Sequence, residues 1–297
     1  MVHPIRPDEL DLAYYRATNP ELQFLEDDAL YHHYEHIGRG EGRPSAAAAF
    51  REILVQIAGQ LENILEIGPF YRPSLVGPNV RYFDVLDYDG LCKRAREHNL
   101  PLTAIPQIHY VSPTGDLSAV SARFEAVFSA HVIEHQPCLI SHLQQVSKLI
   151  PPGGFYFLVI PDKRYCFDHF IAPSSIAEVL LAFEECRKVH TLRSVIEHDA
   201  LTTHNDMVRH WQGDHADPDF NEAVTHRIKK AFERYGSARG AYIDVHAWQF
   251  TPDTFRFIMV QLHALGILDL YPALVYDTPY GRQEFCAVLS RICKSQR

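Results

Sequence analysis

The stretch that decides the fold is NILEIGPFYRPS, residues 63–74. An apolar run, Ile64-Leu65, leads into Glu66, and after Ile67 a single glycine follows at Gly68. A strand that breaks at a glycine is how many nucleotide-cofactor sites begin, because the glycine lets the backbone pass close to the ligand. A dinucleotide fingerprint needs three glycines to wrap a pyrophosphate. Here there is one, with a carboxylate just before it, so the ligand expected at this turn carries no pyrophosphate.

Outward from that turn, strands and helices alternate. VRYFD (80–84), QIHYV (107–111), EAVFSAH (125–131) and FYFLVIPD (155–162) read as further strands. A helix is expected over CLISHLQQVSKLI (138–150), with a hard turn at Pro151-Pro152-Gly153-Gly154. The strands are near-continuous apolar runs, which is the pattern of a parallel sheet covered on both faces by helices. TPDTFRFIMVQLHALGIL (251–268) reads as a helix with Thr251 as N-cap and Pro252 in its first turn. LDLYPALVYDT (268–278) and EFCAVLSRI (284–292) are the last two strands. The short PYGRQ link between them predicts a hairpin, hence an antiparallel final strand.

Two regions stand apart. Residues 1–45 form an expected N-terminal helical hairpin, broken at Asn19-Pro20, that is too short to hold a core alone. SAAAAFREILVQIAGQL (45–61) reads as a helix capped by Ser45. Residues 163–245, polar and rich in His, are an insertion or cap of mostly helical character within a domain spanning 46–297.

The chain has 297 residues with 46% hydrophobic content, enough for one large α/β domain plus an appendage. A net charge of −9 argues against binding a phosphate backbone, so no nucleic-acid partner is expected. Six cysteines (Cys92, Cys138, Cys166, Cys186, Cys286, Cys293) show no paired spacing and read as reduced thiols, consistent with a cytoplasmic protein. MVHPIRPDELD has no apolar core of a signal peptide, and no run reaches the roughly 18 residues of a membrane span.

S-adenosylmethionine has an amino-acid end with an ammonium group and no pyrophosphate. Glu66 is placed to position that end directly or through water, with Gly68 giving close passage. Pro69 and Ala130, beside Gly68 and at the end of the fourth strand, belong to the same expected cofactor set. Asp84 closes the second strand, where an acid accepts hydrogen bonds from ribose hydroxyls. Asp87 is the alternative, which would leave Asp84 buried mid-strand. Asp116 is placed either to approach the adenine amino group or to cap a helix.

LEIGPF, VRYFD, GDL, FEAVFSAHVIEH and LIPPGGFYFLVIPD, in this order and spacing, resemble class I S-adenosylmethionine-dependent methyltransferases over roughly residues 60–162. The resemblance implies a seven-stranded, mostly parallel Rossmann-like methyltransferase sheet with its last strand reversed. The family commonly has a second glycine at position 70, where this chain has Phe70. PDKRYCFD (161–168) and HAWQFTPDTF (246–255) resemble a bacterial subgroup found with polysaccharide and glycosyltransferase systems. Residues 14–45 are similar to a short helical repeat of bacterial surface-glycan enzymes, which implies a glycosyltransferase as partner through residues 1–45.

Methyl transfer to a hydroxyl benefits from a base. His131 follows the fourth strand and is read either as that base or as a polar residue lining the cofactor pocket. Asp162 and His246 are further candidates near the acceptor. Glu134 and His135 read as structural residues heading the next helix. Arg164 is read either as a clamp for phosphate or carboxylate, or as half of an ion pair with Asp162 that fixes the loop. Tyr165 and Trp248 are candidates for stacking on a sugar ring, or core aromatics. The insertion's His and Asp residues match no metal-binding spacing, so a solvated polar cap is expected and no metal ligand is assigned.

The expected function is O-methylation of a sugar or glycan precursor with S-adenosylmethionine. The alternatives are a small-metabolite or lipid-linked acceptor, or a catalytically silent scaffold in a glycan-assembly complex.

Overall fold

The computed structural model describes residues 9–292. Cys293 and the first eight residues of the hairpin lie outside them. The seven strands are β1 (Ile64–Ile67), β2 (Val80–Asp84), β3 (Tyr110–Val111), β4 (Ala126–Ala130), β5 (Phe155–Pro161), β6 (Leu270–Val275) and β7 (Glu284–Arg291). They form one sheet in the order β3-β2-β1-β4-β5-β7-β6. The first five strands pair in parallel, and β7 runs antiparallel to both β5 and β6. This is the seven-stranded sheet with a reversed last strand expected from the sequence.

The order places a switch at β1. From there the chain moves outward through β2 and β3, then returns to β4 on the other side. In sheets of this order ligands bind beyond the carboxyl ends of the strands that flank the switch, here β1 and β4.

Among the described residues the α-helices are α1 (Leu12–Thr18), α2 (Asp27–His33), α3 (Arg39–Glu41), α4 (Arg51–Gly59), α5 (Tyr88–Glu97), α6 (Leu139–Leu149), α7 (Ile176–Glu184), α8 (Leu192–Leu201), α9 (Met207–Trp211), α10 (Phe220–Ala238) and α11 (Pro252–Ala264). Successive residues of a strand face opposite sides. Leu65 and Ile67 therefore enter one core with Leu139 and Leu143 of α6 and Phe255 and Ile258 of α11. Ile64, Phe128 and Phe157 enter the other, under Leu54 and Ala58 of α4. The 163–245 segment supplies α7 to α10, with α8 packed on α10. No helix of the described residues is long and apolar enough to cross a membrane.

Local signals held in part. Thr251 caps α11 with Pro252 in its first turn, and a reciprocal bond to Thr254 completes the cap. Ser45 does not cap α4. Phe50 is extended (φ −91°, ψ 133°), which splits the segment into a 3-10 turn at Ala47–Ala49 and a helix starting at Arg51. The Asn19-Pro20 break starts a 3-10 turn at Pro20–Leu22, and the second helix begins only at Asp27. Glu134 and His135 do not head α6. They sit in a separate 3-10 turn, Ile133–His135, and α6 begins after Cys138.

The N-terminal hairpin has its own small core of Leu10, Tyr15, Leu22, Leu30 and Tyr34. Buried ionic contacts hold it to the sheet. Arg39 Nε donates to Asp277 Oδ2 at 2.7 Å, and its Nη2 donates to Asp253 Oδ1 at 2.7 Å. The Tyr34 hydroxyl donates to Asp277 at 3.0 Å. Glu9 accepts from the Val275 N–H at 2.9 Å and from Arg256 Nη2 at 3.2 Å.

Removing one partner of a buried ion pair strands the other charge. Arg39→Met is expected to lower unfolding stability by about 3 kcal/mol, read by urea denaturation. A loss under about 1 kcal/mol, the scale of an exposed pair, would show that Arg39 does not anchor the hairpin.

Candidate functional site

The crevice begins at the turn after β1. Gly68 has φ 70°, and a Cβ there would sit 2.8 Å from Val132 Cγ2. The loops after β1 and β4 therefore touch, and any larger residue forces them apart. Phe70 (φ 45°) and His131 (φ 54°) are also left-handed. Phe70 thus fills with a side chain a conformation that glycine adopts without cost. Its ring packs edge-on against Tyr71 at 5.1 Å and lies under Arg94 at 5.7 Å, which offsets part of that strain.

Glu66 is 2% exposed. Its carboxylate accepts from the Ser74 N–H at 2.7 Å and the Leu75 N–H at 2.9 Å. The side chain thereby folds the whole 68–75 loop back over β1. Burial pushes its pKa up to about 7, against the opposing pull of those two N–H groups. Asp84 ends β2, buried, with Oδ1 accepting from the Leu86 N–H at 3.1 Å. Burial raises its pKa too, and backbone N–H groups of Leu86, Phe70 and Val85 work against the rise. Asp87 is instead the N-cap of α5, accepting from the Gly90 N–H at 2.8 Å. Asp116 caps the 3-10 turn Leu117–Ala119 through the Ser118 N–H at 3.0 Å, and its side chain is exposed. Pro69 is buried and Ala130 half-buried at the crevice floor.

Across the crevice, the His131 ring sits at the end of β4, its N–H backbone group tied to Val159 O at 3.0 Å. Its Nε2 lies 2.5 Å from Glu284 Oε2, at the start of β7. Burial alone lowers the ring's pKa, but the Glu284 bond and the Glu134 charge outweigh it, and the net shift is upward. Arg51 completes a bridge between the two sides: it donates to Ser74 Oγ at 2.9 Å and reaches Glu284 Oε2 at 3.5 Å. His246 joins from the segment before α11. The Ala247 and Trp248 N–H groups both donate to the Glu134 carbonyl, at 2.7 and 3.2 Å, which pins that segment onto the 133–135 turn. The His246 and His135 rings meet edge-to-face at 4.6 Å, and Asp168 Oδ2 lies 2.6 Å from His246 Nδ1.

Three expected substrate contacts are engaged elsewhere. Arg164 forms a two-pronged pair with Asp162, Nε to Oδ1 at 3.0 Å and Nη2 to Oδ2 at 2.6 Å. Asp162 is fully buried and also accepts from the Thr278 hydroxyl at 2.6 Å, so its carboxylate fixes the loop after β5 and has no free face for a substrate. Tyr165 stacks on Trp211, with centroids 3.8 Å apart and planes within 8°. Of the two readings of Trp248, a sugar-stacking face or a core aromatic, the structure takes the second. The residue is 3% exposed, packed in the core, and its indole N–H donates to Gln136 O at 2.6 Å. It offers no surface for a sugar ring.

The sequence reading missed Glu284 and Asp244. Glu284 looked like the first residue of a strand, and only the antiparallel return of β7 beside β5 brings it to His131. Asp244 Oδ1 lies 3.0 Å from His135 Nδ1, and its other oxygen pairs with Arg94. Neither contact follows from any local spacing.

No family model and no curated protein matches the chain. Among solved structures, the CcbJ methyltransferase from Streptomyces caelestis is similar at 19% identity over 39% of this chain and 52% of its own, with a TM-score of 0.28. This chain thus spans about half the length of that relative. A protein described for the conversion of a disulfide bond into a thioacetal group during echinomycin biosynthesis is similar at 9% identity over 82% of each chain, TM-score 0.36. An O-methyltransferase family protein from Burkholderia thailandensis is similar at 9% identity over 82% of this chain and 56% of its own, TM-score 0.34. These likenesses are remote, and the chemistry of the site rests on its own geometry.

Glu66 makes a signature in pH. Its folded pKa of about 7 lies above the ordinary 4.5. Its stabilising contribution is therefore fully present below about pH 4.5 and is lost as pH rises through 7. The component is on the order of 3 kcal/mol, at about 1.4 kcal/mol per pH unit. Chemical denaturation at pH 5 and pH 8 is expected to show this fall in the wild type and not in Glu66→Gln. Parallel pH profiles for the two proteins would contradict it.

Proposed function

We propose that the chain is an S-adenosylmethionine-dependent methyltransferase that O-methylates a sugar or glycan precursor. The observation that carries the reading is the pairing, across one switch-point crevice, of a buried acid closing β2 with a His–Glu pair closing β4. The residues fit such a cofactor: a tight glycine turn without a pyrophosphate cradle, and an acid at the end of the neighbouring strand for ribose hydroxyls. When bound, the cofactor supplies a methyl group on a sulfonium centre.

Asp84 would hold the ribose. Gly68, Pro69 and Ala130 would line the floor, and Asp116 the adenine end. Glu66 would act through the loop whose Ser74 and Leu75 N–H groups it holds. His131 would be the base. Glu284 at Nε2 favours the tautomer that leaves Nδ1 free to take the acceptor's hydroxyl proton. Asp162 and Arg164 would hold the loop beneath the acceptor.

A phosphate-bearing acceptor, such as a sugar nucleotide or lipid-linked sugar, is favoured by an open cleft of about 350 Å³ between α8 and α10. His198, Asp199, Thr202, Arg227 and Lys230 line it, with Lys230 exposed and Arg227 Nη1 donating to Thr202 O at 2.8 Å. The cleft abuts the site through His198, whose Nδ1 accepts from the His246 N–H at 3.3 Å. The partner we propose is a glycosyltransferase docking through residues 1–45, where Phe24 stands 85% exposed.

Calorimetry with S-adenosylhomocysteine tests the cofactor half. Asp84→Asn removes a charged acceptor and is expected to weaken binding about 10- to 100-fold. His131→Gln should leave that affinity unchanged and slow methylation of nucleotide sugars about 100-fold or more. Absence of binding to the wild type would favour the scaffold reading instead.

A further inference from the structure

Glu134 is an anomaly. It is 1% exposed, and neither carboxylate oxygen accepts a hydrogen bond from any described residue. His131 Nδ1 stands 3.8 Å from its Oε1, too far for one. A carboxyl group left this way is costly to bury unless a donor or a cation sits beside it. Buried polar groups without partners are rare, and an ion is one of the few explanations for them.

The surroundings say what kind of ion. Glu134, His135 and His246 each offer one ligand atom, and these atoms all lie within 4.8 Å of one another. The His246 ring is oriented by Asp168, whose Oδ2 is 2.6 Å from Nδ1. Asp168 is itself 1% exposed, and its other oxygen has no partner. The His135 Nδ1 faces Asp244 Oδ1 at 3.0 Å, a close ionic contact at an angle poor for a hydrogen bond. Each imidazole thus has a carboxylate behind Nδ1, leaving Nε2 for the cluster. A carboxylate behind a ligating imidazole is the usual outer support of a metal site, because it fixes the ring and raises its basicity. The support is rigid here, since the Glu134 carbonyl binds the chain on either side of Ala247.

We propose that Glu134, His135 and His246 bind a divalent first-row cation such as Zn²⁺ or Mn²⁺. Two imidazoles and one carboxylate suit these ions, while Mg²⁺ and Ca²⁺ favour all-oxygen sites. Three protein ligands leave a coordination position open. His135 is half-exposed, which gives the ion a way in. The site adjoins His131, so an acceptor oxygen on the ion would lie close to that base. This last use rests on the methyl-transfer reading; the binding itself does not.

A second cluster serves as the control. His169, His210 and His215 also converge. There, however, His210 is engaged at both nitrogens, by His215 Nδ1 and by His204 O, each at 3.1 Å, and among the described residues no buried carboxylate without a partner belongs to the cluster.

The test is equilibrium dialysis of the metal-free full chain against Zn²⁺ and Mn²⁺, with Co²⁺ absorption as a probe of the ligands and Mg²⁺ as competitor. One ion per chain is expected, not displaced by Mg²⁺. Glu134→Gln and His246→Gln should abolish it, Asp168→Asn should weaken it about 10- to 100-fold, and His210→Gln should leave it intact. Should Glu134→Gln not fold, Asp168→Asn and the Co²⁺ spectrum decide. No binding, or binding lost in His210→Gln and kept in Asp168→Asn, overturns the proposal. Neither result bears on cofactor affinity, which calorimetry reads without metal.

Discussion

A carboxylate taken out of water must find donors or a cation, and this requirement organises the carboxyl edge of the sheet. Glu66 is the first case. Buried at the end of β1, it is stabilised by two backbone N–H groups, and meeting them forces the 68–75 loop to fold over the strand. That fold brings Ser74 to Arg51, and Arg51 in turn reaches Glu284, the residue that holds the His131 ring. The turn after β1 and the His131 ring after β4 are thus two ends of one chain of polar contacts. Asp162 solves the same problem with Arg164 and Thr278, and Asp168 with His246. Among the buried carboxylates of the described residues, Glu134 has no hydrogen-bond donor at either oxygen.

The division of labour follows from which carboxylates are satisfied. Those saturated by protein donors, Glu66 and Asp162, shape loops. Asp84 has backbone donors and stands at the crevice, where an acid accepts from hydroxyls. Glu284 and Asp168 each orient an imidazole. The antiparallel β7 matters chemically for this reason: its reversed direction is what delivers Glu284 to the carboxyl edge of the parallel strands. The 163–245 segment packs beside this edge, with α8 carrying His198 against the backbone of His246.

The sheet was legible because buried parallel strands are continuous apolar runs, and the punctuation at Gly68, Pro151-Pro152-Gly153-Gly154 and Thr251-Pro252 is local. Asp84 was legible because it ends such a run. Contacts between distant segments left no local trace. Glu284 and His131 are 153 residues apart, and Asp168 and His246 are 78 apart. Ser45 misled because capping residues also occur in loops, and the extended Phe50 sets the true start of α4. Trp248 stayed open between two readings because an aromatic near a site reads alike whether it faces a substrate or, as here, the core. The missing second glycine at Phe70 is explained by its backbone: the left-handed conformation is kept, and packing against Tyr71 and Arg94 offsets the strain.

The central claim is that a sulfonium nucleoside lies across the β1–β4 switch point with its sugar on Asp84. A crystal structure of the chain with S-adenosylhomocysteine tests it most directly. The account predicts ribose hydroxyls within about 3 Å of the Asp84 carboxylate, with the sulfur toward His131. Density for the nucleoside elsewhere, or a crevice that stays closed by Phe70 and Val132 at saturating ligand, would contradict it.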